Sequence, residues 1–314
     1  MNAVRHDLDA DRITRALDDL AAAGRRIMGT TVQAHAQLGS TMDAAAAWAA
    51  VGAPDGAVVI ADRQAAGRGR FGRPWETPAG QAIALSLVLR PRLDRERVPQ
   101  VAMAVALGAI EALEAIGATG ATETREMREA DERGTPPSLA SLDQPRTAPA
   151  EFGLKWPNDL VARVAARDAG EQPHLKLGGL LAEAAWRGAD ATVVVGLGVN
   201  VHQAPDELPL GATSLAALGV PKSARERSLL VAAILDAVGR HYARLLAGHD
   251  LVPAWSARLT TLGRSVEVRP GTASGTPTIA GRAIGVAPDG ALLVVDAQGK
   301  QHAVRAADVT LAGS

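Results

Sequence analysis

The sequence predicts an α+β protein in which a mixed or antiparallel sheet is flanked by helices and a small all-β domain follows at the C-terminal end. Helical periodicity recurs in the first 262 residues, with short apolar runs bounded by turn residues between the helical segments. After Gly263 the pattern changes to short apolar runs separated by turn sequences such as Pro288-Asp289-Gly290, as in small barrel-like domains. We therefore expect one domain over residues 1–262 and a second over residues 263–314.

Local patterns define the individual elements. Ile13, Leu17 and Leu20 recur at helical spacing, and Ser40 stands three residues before Asp43, which is similar to a capping-box start. The predicted helices cover residues 9–27, 41–50, 99–116, 223–246 and 251–262. The predicted strands cover residues 31–37, 57–60, 81–89, 152–156, 159–164, 175–185 and 192–201, then 265–269, 279–286, 291–295 and 301–305 in the second domain.

One stretch of the first domain departs from these patterns. Residues 118–150 are rich in Glu, Arg, Thr, Pro and Ser and contain almost nothing apolar, and Gly117 supplies a stop for the preceding helix. Such a composition buries too little apolar surface to order the chain. We therefore expect a mobile surface insertion, with a short charged helix over residues 123–133 as an alternative.

Composition excludes several classes of chemistry. The formal net charge is -1 and aromatic residues make up 3%, which argues against a nucleic-acid-binding protein. Cysteine is absent, so a thiolate nucleophile and a thioester intermediate are excluded. The seven histidines lie far apart, which argues against a built-in zinc site, and no G-x-S-x-G sequence indicates a serine hydrolase.

The apolar segments indicate a cytoplasmic location. The N-terminus has no apolar core of signal-peptide type. The best apolar run, from Val101 to Ile116, is interrupted by Glu111 and Glu114, so we expect no span of a bilayer.

The segment from Gln64 to Trp75 combines three glycines with three arginines. Glycine lets the backbone approach a ligand closely and arginine supplies fixed charge, a combination that suits a phosphate, while Trp75 could stack on a base. The segment formally matches the dinucleotide motif G-x-G-x-x-G, but Pro74 and the strand-like run from Gln81 contradict the helix that this motif must open. The alternatives are a solvated arginine-rich loop and a segment that touches nucleic acid.

Two further segments carry polar residues beside apolar runs. In Lys155-Trp156-Pro157-Asn158-Asp159 the lysine could offset phosphate charge and Asp159 could hold Mg²⁺, although the same residues favour a turn. The run from Lys176 to Glu183 places two glycines inside a strand, which indicates close approach of a ligand or a backbone, or else an edge strand protected by lysine. The run from Gly196 to Asn200 has the same ambiguity.

Taken together and in order, these segments resemble biotin protein ligases. That family shows a serine-threonine pair, a G-R-G-R-x-G-R-x-W loop, K-W-P-N-D, K-x-x-G-[IL]-L and G-x-G-[VI]-N, which this sequence matches at Ser40-Thr41, Gly67 to Trp75, Lys155 to Asp159, Lys176 to Leu181 and Gly196 to Asn200. The resemblance runs from about Gly39 to the C-terminus and implies a class II synthetase-like catalytic fold of the biotin/lipoate ligase type with an SH3-like barrel at the end. The sequence departs from the family at Phe71, where arginine is frequent, and at Met42, where asparagine is frequent.

The resemblance implies an ATP-dependent ligase that makes biotinyl-5′-AMP and then transfers biotin to a lysine of a biotin carboxyl carrier protein. ATP and Mg²⁺ would be co-substrate and metal, with no tightly bound prosthetic group and no nucleic-acid or membrane partner, and a homodimer is compatible with it. The implied catalytic residues are Lys176, Arg68, Arg70 and Lys155. The implied biotin-binding residues are Ser40, Thr41, Met42, Gln64, Arg68, Gly69, Arg70, Lys176, Gly179 and Gly196. The implied nucleotide-binding residues are Gly67, Arg73, Trp75, Asn158 and Asp159, with Asp159 also facing the metal.

Two alternatives follow from the same segments. A lipoate or octanoate ligase or transferase shares the catalytic fold, and a non-catalytic module that binds biotin or a nucleotide would share the pocket. Some relatives carry a DNA-binding helix-turn-helix before the serine-threonine pair. Thirty-nine residues precede Ser40 and contain one predicted helix, which is too little for that domain, so we expect a ligase without repressor function. We also expect the loop from Arg68 to Trp75 to order on ligand binding and to shield the adenylate from water.

Overall fold

The computed structural model describes residues 8–22, 28–29, 31–131, 151–163, 174–270, 278–305 and 307–311. Its larger sheet has seven strands in the spatial order β1-β2-β3-β7-β6-β5-β4. The two strands β1 and β2 are parallel and every other neighbouring pair is antiparallel, which confirms the predicted mixed sheet. The strands are β1 Val32–Leu38, β2 Ala57–Gln64, β3 Ala82–Leu89, β4 Glu151–Lys155, β5 Asp159–Arg163, β6 His174–Arg187 and β7 Asp190–Asn200.

Helices cover both faces of this sheet. They are α1 Ala10–Ala22, α2 Thr41–Ala50, α3 Gln100–Asp131, α4 Arg227–Leu246 and α5 Val252–Ser256. Strand β2 shows the two layers, because Val58 and Ile60 belong to the main core and Ala57 and Val59 to a smaller core under α2. Burial on both faces explains why β2 and β3 are almost continuously apolar rather than alternating.

The long helix α3 differs from its prediction. It continues through Gly117 to Asp131, so the predicted stop at Gly117 was wrong. The alternative of a charged helix over 123–133 is helical as far as Asp131, as part of α3, and residues 132–150 of the expected insertion lie outside the described part of the chain. A glycine inside a helix costs only about 1 kcal/mol, and helix-forming Ala, Glu, Arg and Met residues follow it here. A Cβ at Gly117 would lie 3.2 Å from the Phe152 ring, so close packing explains this glycine.

The first half of α3 is also more apolar than expected. By length and composition Arg95–Gly117 could cross a membrane, so the expectation of no such stretch was wrong, and 67% of the apolar window is buried inside the protein. The helix packs against α4 and against strands of the sheet. At Gly108 a Cβ would meet the backbone nitrogen of Val238 at 2.4 Å, which shows how closely the two helices cross. Packing on several sides accounts for the apolar composition.

Other helix boundaries shift for local reasons. Ser40 is the N-cap of α2, but its side chain makes no capping hydrogen bond, so the predicted capping box does not form. Helix α4 begins at Arg227 rather than at 223, because the Glu226 side chain accepts a hydrogen bond from Ser228 N and caps the helix there. Helix α5 ends at Ser256, and residues 257–262 form turns.

The second sheet has five antiparallel strands in the order β11-β10-β9-β8-β12. They are β8 Ser265–Pro270, β9 Ile279–Val286, β10 Leu292–Asp296, β11 Gln301–Val304 and β12 Ala307–Leu311. Strand β12 was not predicted, because its pairing partner β8 lies about forty residues earlier. The sheet fits the expected barrel-type C-terminal domain. It contacts the first part through Trp156, whose Nε1 donates to Gly290 O at 3.0 Å.

Candidate active site

A cavity of about 890 Å³ opens between the large sheet, the arginine-rich loop after β2 and the β8–β12 side of the small sheet. Every site residue predicted from the sequence lines it except Gly67. Gly67 lies outside the cavity lining, where its lack of a side chain lets the backbone of Trp75 approach. A Cβ at Gly67 would lie 2.3 Å from Trp75 O. The structure thus brings together predicted site residues that are up to 156 positions apart, from Ser40 to Gly196.

Helix α2 starts at one wall of the cavity, where a hydrogen-bond network holds it. Gln64 Oε1 accepts from Thr41 N at 2.8 Å and from Thr41 Oγ1 at 3.1 Å, and Gln64 Nε2 donates to Thr77 Oγ1 at 3.2 Å. Ser86 Oγ donates to Thr41 Oγ1 at 2.9 Å. Gln64 therefore fixes the position of this wall, and Ser40, free of a capping bond, lies beside it.

Glycines of β7 seat two cavity-lining side chains. A Cβ at Gly196 would lie 2.8 Å from Met42 Sδ, and a Cβ at Gly198 would lie 2.5 Å from the Trp75 indole. These glycines therefore allow close approach of side chains from α2 and from the loop. The Trp75 Nε1 hydrogen is buried and has no acceptor among the described residues, so it remains a donor within the cavity wall.

The loop between Gly67 and Trp75 folds back on itself. Trp75 N donates to Gly67 O at 2.8 Å and Gly69 N donates to Arg73 O at 2.7 Å. At its tip Phe71 has a φ of 57°, and its ring lies 4.7 Å from the Arg70 guanidinium carbon. The loop is a short hairpin rather than the start of a helix, which confirms that the dinucleotide-motif interpretation was rightly rejected.

The three loop arginines have different partners. Arg68 pairs with Asp43 and with Glu183, and Arg73 pairs with Asp308 of β12. The side-chain hydrogen bond to Asp43 is the main cause that raises the pKa of Arg68, and the bond to Asp308 does the same for the pKa of Arg73.

Arg70 differs from both neighbours. It donates to Ala307 O at 3.1 Å and pairs with no carboxylate in the described part of the chain. Desolvation by burial lowers the pKa of its guanidinium, although Asp308 and Asp159 act in the opposite direction. A partly desolvated cation without an acidic partner is suited to receive an anionic ligand.

The β4–β5 turn brings further polar residues to the cavity. Lys176 Nζ lies 2.7 Å from Asp159 Oδ1, and Lys155 has no ion-pair partner within the described ranges. Asn158 donates from Nδ2 to Leu180 O, and Leu180 N donates to Asn158 O at 2.9 Å. Asn158 therefore joins the turn to β6, beside Lys176, at the point where Gly179 faces the cavity.

Strand β6 lies inside the sheet, between β7 and β5, so the edge-strand interpretation of the Lys176 segment was wrong. A Cβ at Gly178 would lie 2.3 Å from Gly198 O. Gly178 thus serves the close packing of two strands, whereas Gly179 has ordinary contact distances and opens to the cavity.

Sequence patterns missed several cavity residues. Asn200 lies inside a quoted segment but was assigned no role, and its Nδ2 donates to Thr213 O at 3.0 Å. Asp43, considered only for a capping box, and Glu183 do not line the cavity but pair with Arg68, which does. Nothing in the sequence signalled the residues contributed by the segment 203–212 and by the small sheet. These are Gln203, Asp206, Glu207, Leu208, Pro209, Ala212, Arg269, Asp308, Val309 and Thr310.

The sequence of this chain is similar to those of known ligases. Residues 35–200 match the family described as "Biotin/lipoate A/B protein ligase family". The chain is similar to the biotin--[acetyl-CoA-carboxylase] ligase of Mycobacterium tuberculosis, with 32% identity over 311 residues that cover 96% of this chain and 98% of the relative. It is also similar to the bifunctional ligase/repressor BirA of Bacillus subtilis, with 28% identity over 293 residues, 91% of this chain and 75% of the relative.

A solved structure shares the fold. The biotin protein ligase from Aquifex aeolicus in complex with biotin and ATP superposes with a TM-score of 0.62 at 21% identity, covering 90% of this chain and 99% of that chain. The superposition supports the arrangement of sheet and helices described above.

Proposed function

Because this chain belongs to the biotin/lipoate A/B protein ligase family, we propose that it is a biotin–protein ligase that activates biotin with ATP and transfers it to a carrier lysine. The observation that carries this proposal is the meeting of all five ordered sequence segments in one cavity. The name of the Mycobacterium tuberculosis relative supports biotin as the acid and a biotin carboxyl carrier protein as the acceptor.

The cavity suits the first step, in which two anions must meet. A carboxylate oxygen of biotin forms a bond to the α-phosphorus of ATP, and the bond from that phosphorus to pyrophosphate breaks. Arg70 and Lys155, which have no carboxylate partner among the described residues, would offset the charge of the phosphates, and Lys176 would contact the acyl-phosphate junction. Fixed cations of this kind lower the barrier because they need no reorganisation during the reaction.

In the second step the ε-amine of the carrier lysine forms a bond to the biotinyl carbonyl carbon. The bond from that carbon to AMP breaks, the amine loses one proton, and an amide results. No enzyme atom becomes acylated, which agrees with the absence of cysteine from the sequence. The wall formed by Ser40, Thr41 and Met42 would receive the biotin end, and Trp75 would lie beside the adenine.

Magnesium would arrive with ATP. Mg²⁺ in nucleotide sites is held by one or two carboxylates together with phosphate oxygens and water. Asp159, one of several carboxylates that line the cavity, fits this pattern, and no group of three or more metal-ligating side chains occurs within the described ranges. The metal would therefore be held mainly by the nucleotide and would screen its phosphates from one another.

We propose a cytoplasmic enzyme that acts on a protein partner and not on nucleic acid or a membrane. The lipoate and octanoate alternative belongs to the same family, so the family alone does not separate the branches; the biotin ligase names of the relatives favour biotin.

The test is acid-dependent exchange of labelled pyrophosphate into ATP in the presence of Mg²⁺, with biotin, lipoate and octanoate compared. We expect exchange with biotin alone. Exchange only with lipoate or octanoate would move the protein to the other branch of the family. No exchange with any acid, together with no bound adenylate after mixing, would favour a non-catalytic binding module.

A further inference from the structure

Arg68 lies between two carboxylates that come from separate elements. Its guanidinium pairs with Asp43 in the first turn of α2 and, from Nη2, with Glu183 Oε1 of β6 at 3.3 Å. Helix α2 packs on β7, the strand next to β6, so the two carboxylates stand on the same face of the sheet. The side chain of Arg68, which lines the cavity, thus bridges α2 and β6.

This pairing changes what Arg68 can contribute. Two carboxylates around one guanidinium give the cluster of Asp43, Arg68 and Glu183 a formal charge of −1. The two carboxylates therefore compete with a phosphate for the guanidinium of Arg68. Arg70, two residues along the loop, has no carboxylate partner in the described part of the chain and keeps its charge for a ligand.

We propose that Asp43 and Glu183 are positioning residues that hold Arg68. They thereby keep the start of the arginine-rich loop over the acyl-adenylate until the carrier protein binds. The inference rests on the proposed function, because it concerns retention of the intermediate made by that reaction. Asp43 follows Met42, which lines the cavity, so the cluster stands at the biotin end. Loss of the two pairs lets this end of the loop open and the adenylate escape.

The two ion pairs of Arg68 are largely exposed, so they can hold the loop without contributing much to the stability of the fold. The side chains are 33% exposed for Arg68, 62% for Asp43 and 49% for Glu183. Ion pairs of this exposure contribute little to global stability, and they weaken as salt screens them. We therefore expect retention of the adenylate, and not the unfolding midpoint, to depend on these carboxylates.

The experiment measures release of labelled biotinyl-adenylate from the full chain. Enzyme is loaded with biotin and α-labelled ATP in Mg²⁺, separated from free ligand, and followed without carrier protein at low and high salt. The variants are Asp43→Asn, Glu183→Gln, their combination, and Asp43→Glu, which keeps the charge. Glu114→Gln is the matched control, because Glu114 forms a half-exposed pair with Arg258 away from the cavity.

We expect release about threefold faster in each single variant and on the order of tenfold faster in the double variant, with Asp43→Glu close to wild type. Release from the wild type should quicken with salt, and release from the double variant should not. Wild-type release in the double variant, or equal acceleration in Glu114→Gln, would overturn the inference. Failure of the wild type to form any adenylate would instead contradict the proposed function.

Discussion

The indole of Trp75 rests on the backbone of Gly198, where a Cβ would come within 2.5 Å of the ring. Gly198→Ala should therefore push the indole out of its place in the cavity wall. We expect the KM for ATP to rise by about tenfold or more while the unfolding midpoint changes little, because the displaced ring belongs to a loop and not to the core. Steady-state pyrophosphate exchange at varied ATP concentration measures this change in KM.

Gly285→Ala is the control, since its Cβ would meet only Leu293 at 3.8 Å. An unchanged KM for ATP in Gly198→Ala would contradict the placement of Trp75 at the nucleotide.

Lys176 is expected to dominate the adenylation step. Its Nζ stands 2.7 Å from Asp159 Oδ1 at the floor of the cavity. Removal of one such electrostatic contact costs about 10²–10³ in rate. Lys176→Ala should show this loss in kcat for pyrophosphate exchange while it unfolds like the wild type, and the exposed Lys222→Ala should behave as wild type. Turnover of Lys176→Ala within a few-fold of wild type would remove Lys176 from the catalytic set.

Arg70 should affect activity through both its charge and its contact with the small sheet. Arg70→Lys keeps a cation but loses the planar donor that reaches Ala307 O, so we expect a partial loss of adenylation. Arg70→Ala should lose on the order of 10²-fold, because the only described cation of the loop without a carboxylate partner is removed. Equal activity of the two variants would show that the charge of Arg70 contributes nothing.

A buried ion pair supports the sheet next to the site. Arg227 is fully buried and donates to Asp62 Oδ1 at 2.7 Å and to Ala82 O at 3.0 Å. Arg227→Leu removes one buried member of this ion pair, so we expect a loss of about 3–5 kcal/mol in the free energy of unfolding. Urea unfolding of Arg227→Leu, Asp62→Leu and the double variant measures this. The double variant should lose less than the sum of the two single losses, and full additivity would contradict direct coupling.

The small sheet should respond to acid through Asp296. The hydrogen bond from His302 Nε2 at 2.7 Å, followed by the N–H groups of Lys300 and Gln298, lowers the pKa of Asp296. A carboxyl whose pKa is lower in the folded chain stabilises above its unfolded value of about 3.9, and this contribution is lost as the pH falls through the folded pKa. Asp296→Asn should therefore unfold more easily than wild type at pH 7, with the difference shrinking below about pH 4. The exposed Asp18→Asn should show no such difference.

The sequence predicted the strands better than the helix ends. Strands β1 to β11 were found because short apolar runs between turn residues have few other interpretations, whereas β12 depends on a distant partner. Gly117 was mistaken for a stop, because its tight packing on Phe152 is a tertiary property. The site was predicted where residues lie in short ordered segments. The contributions of Asp308 and Glu207 could not be predicted, since only folding brings them beside the loop.

The contacts of the small sheet bear on any attempt to shorten this protein. Trp156, in the segment that carries Lys155 and Asp159, donates to Gly290 O, and Arg70 donates to Ala307 O. Truncation after residue 262 would remove both acceptors together with the cavity residues of β8 and β12. The C-terminal sheet therefore completes the cavity. A shortened version of this chain engineered to biotinylate tagged proteins has to retain it.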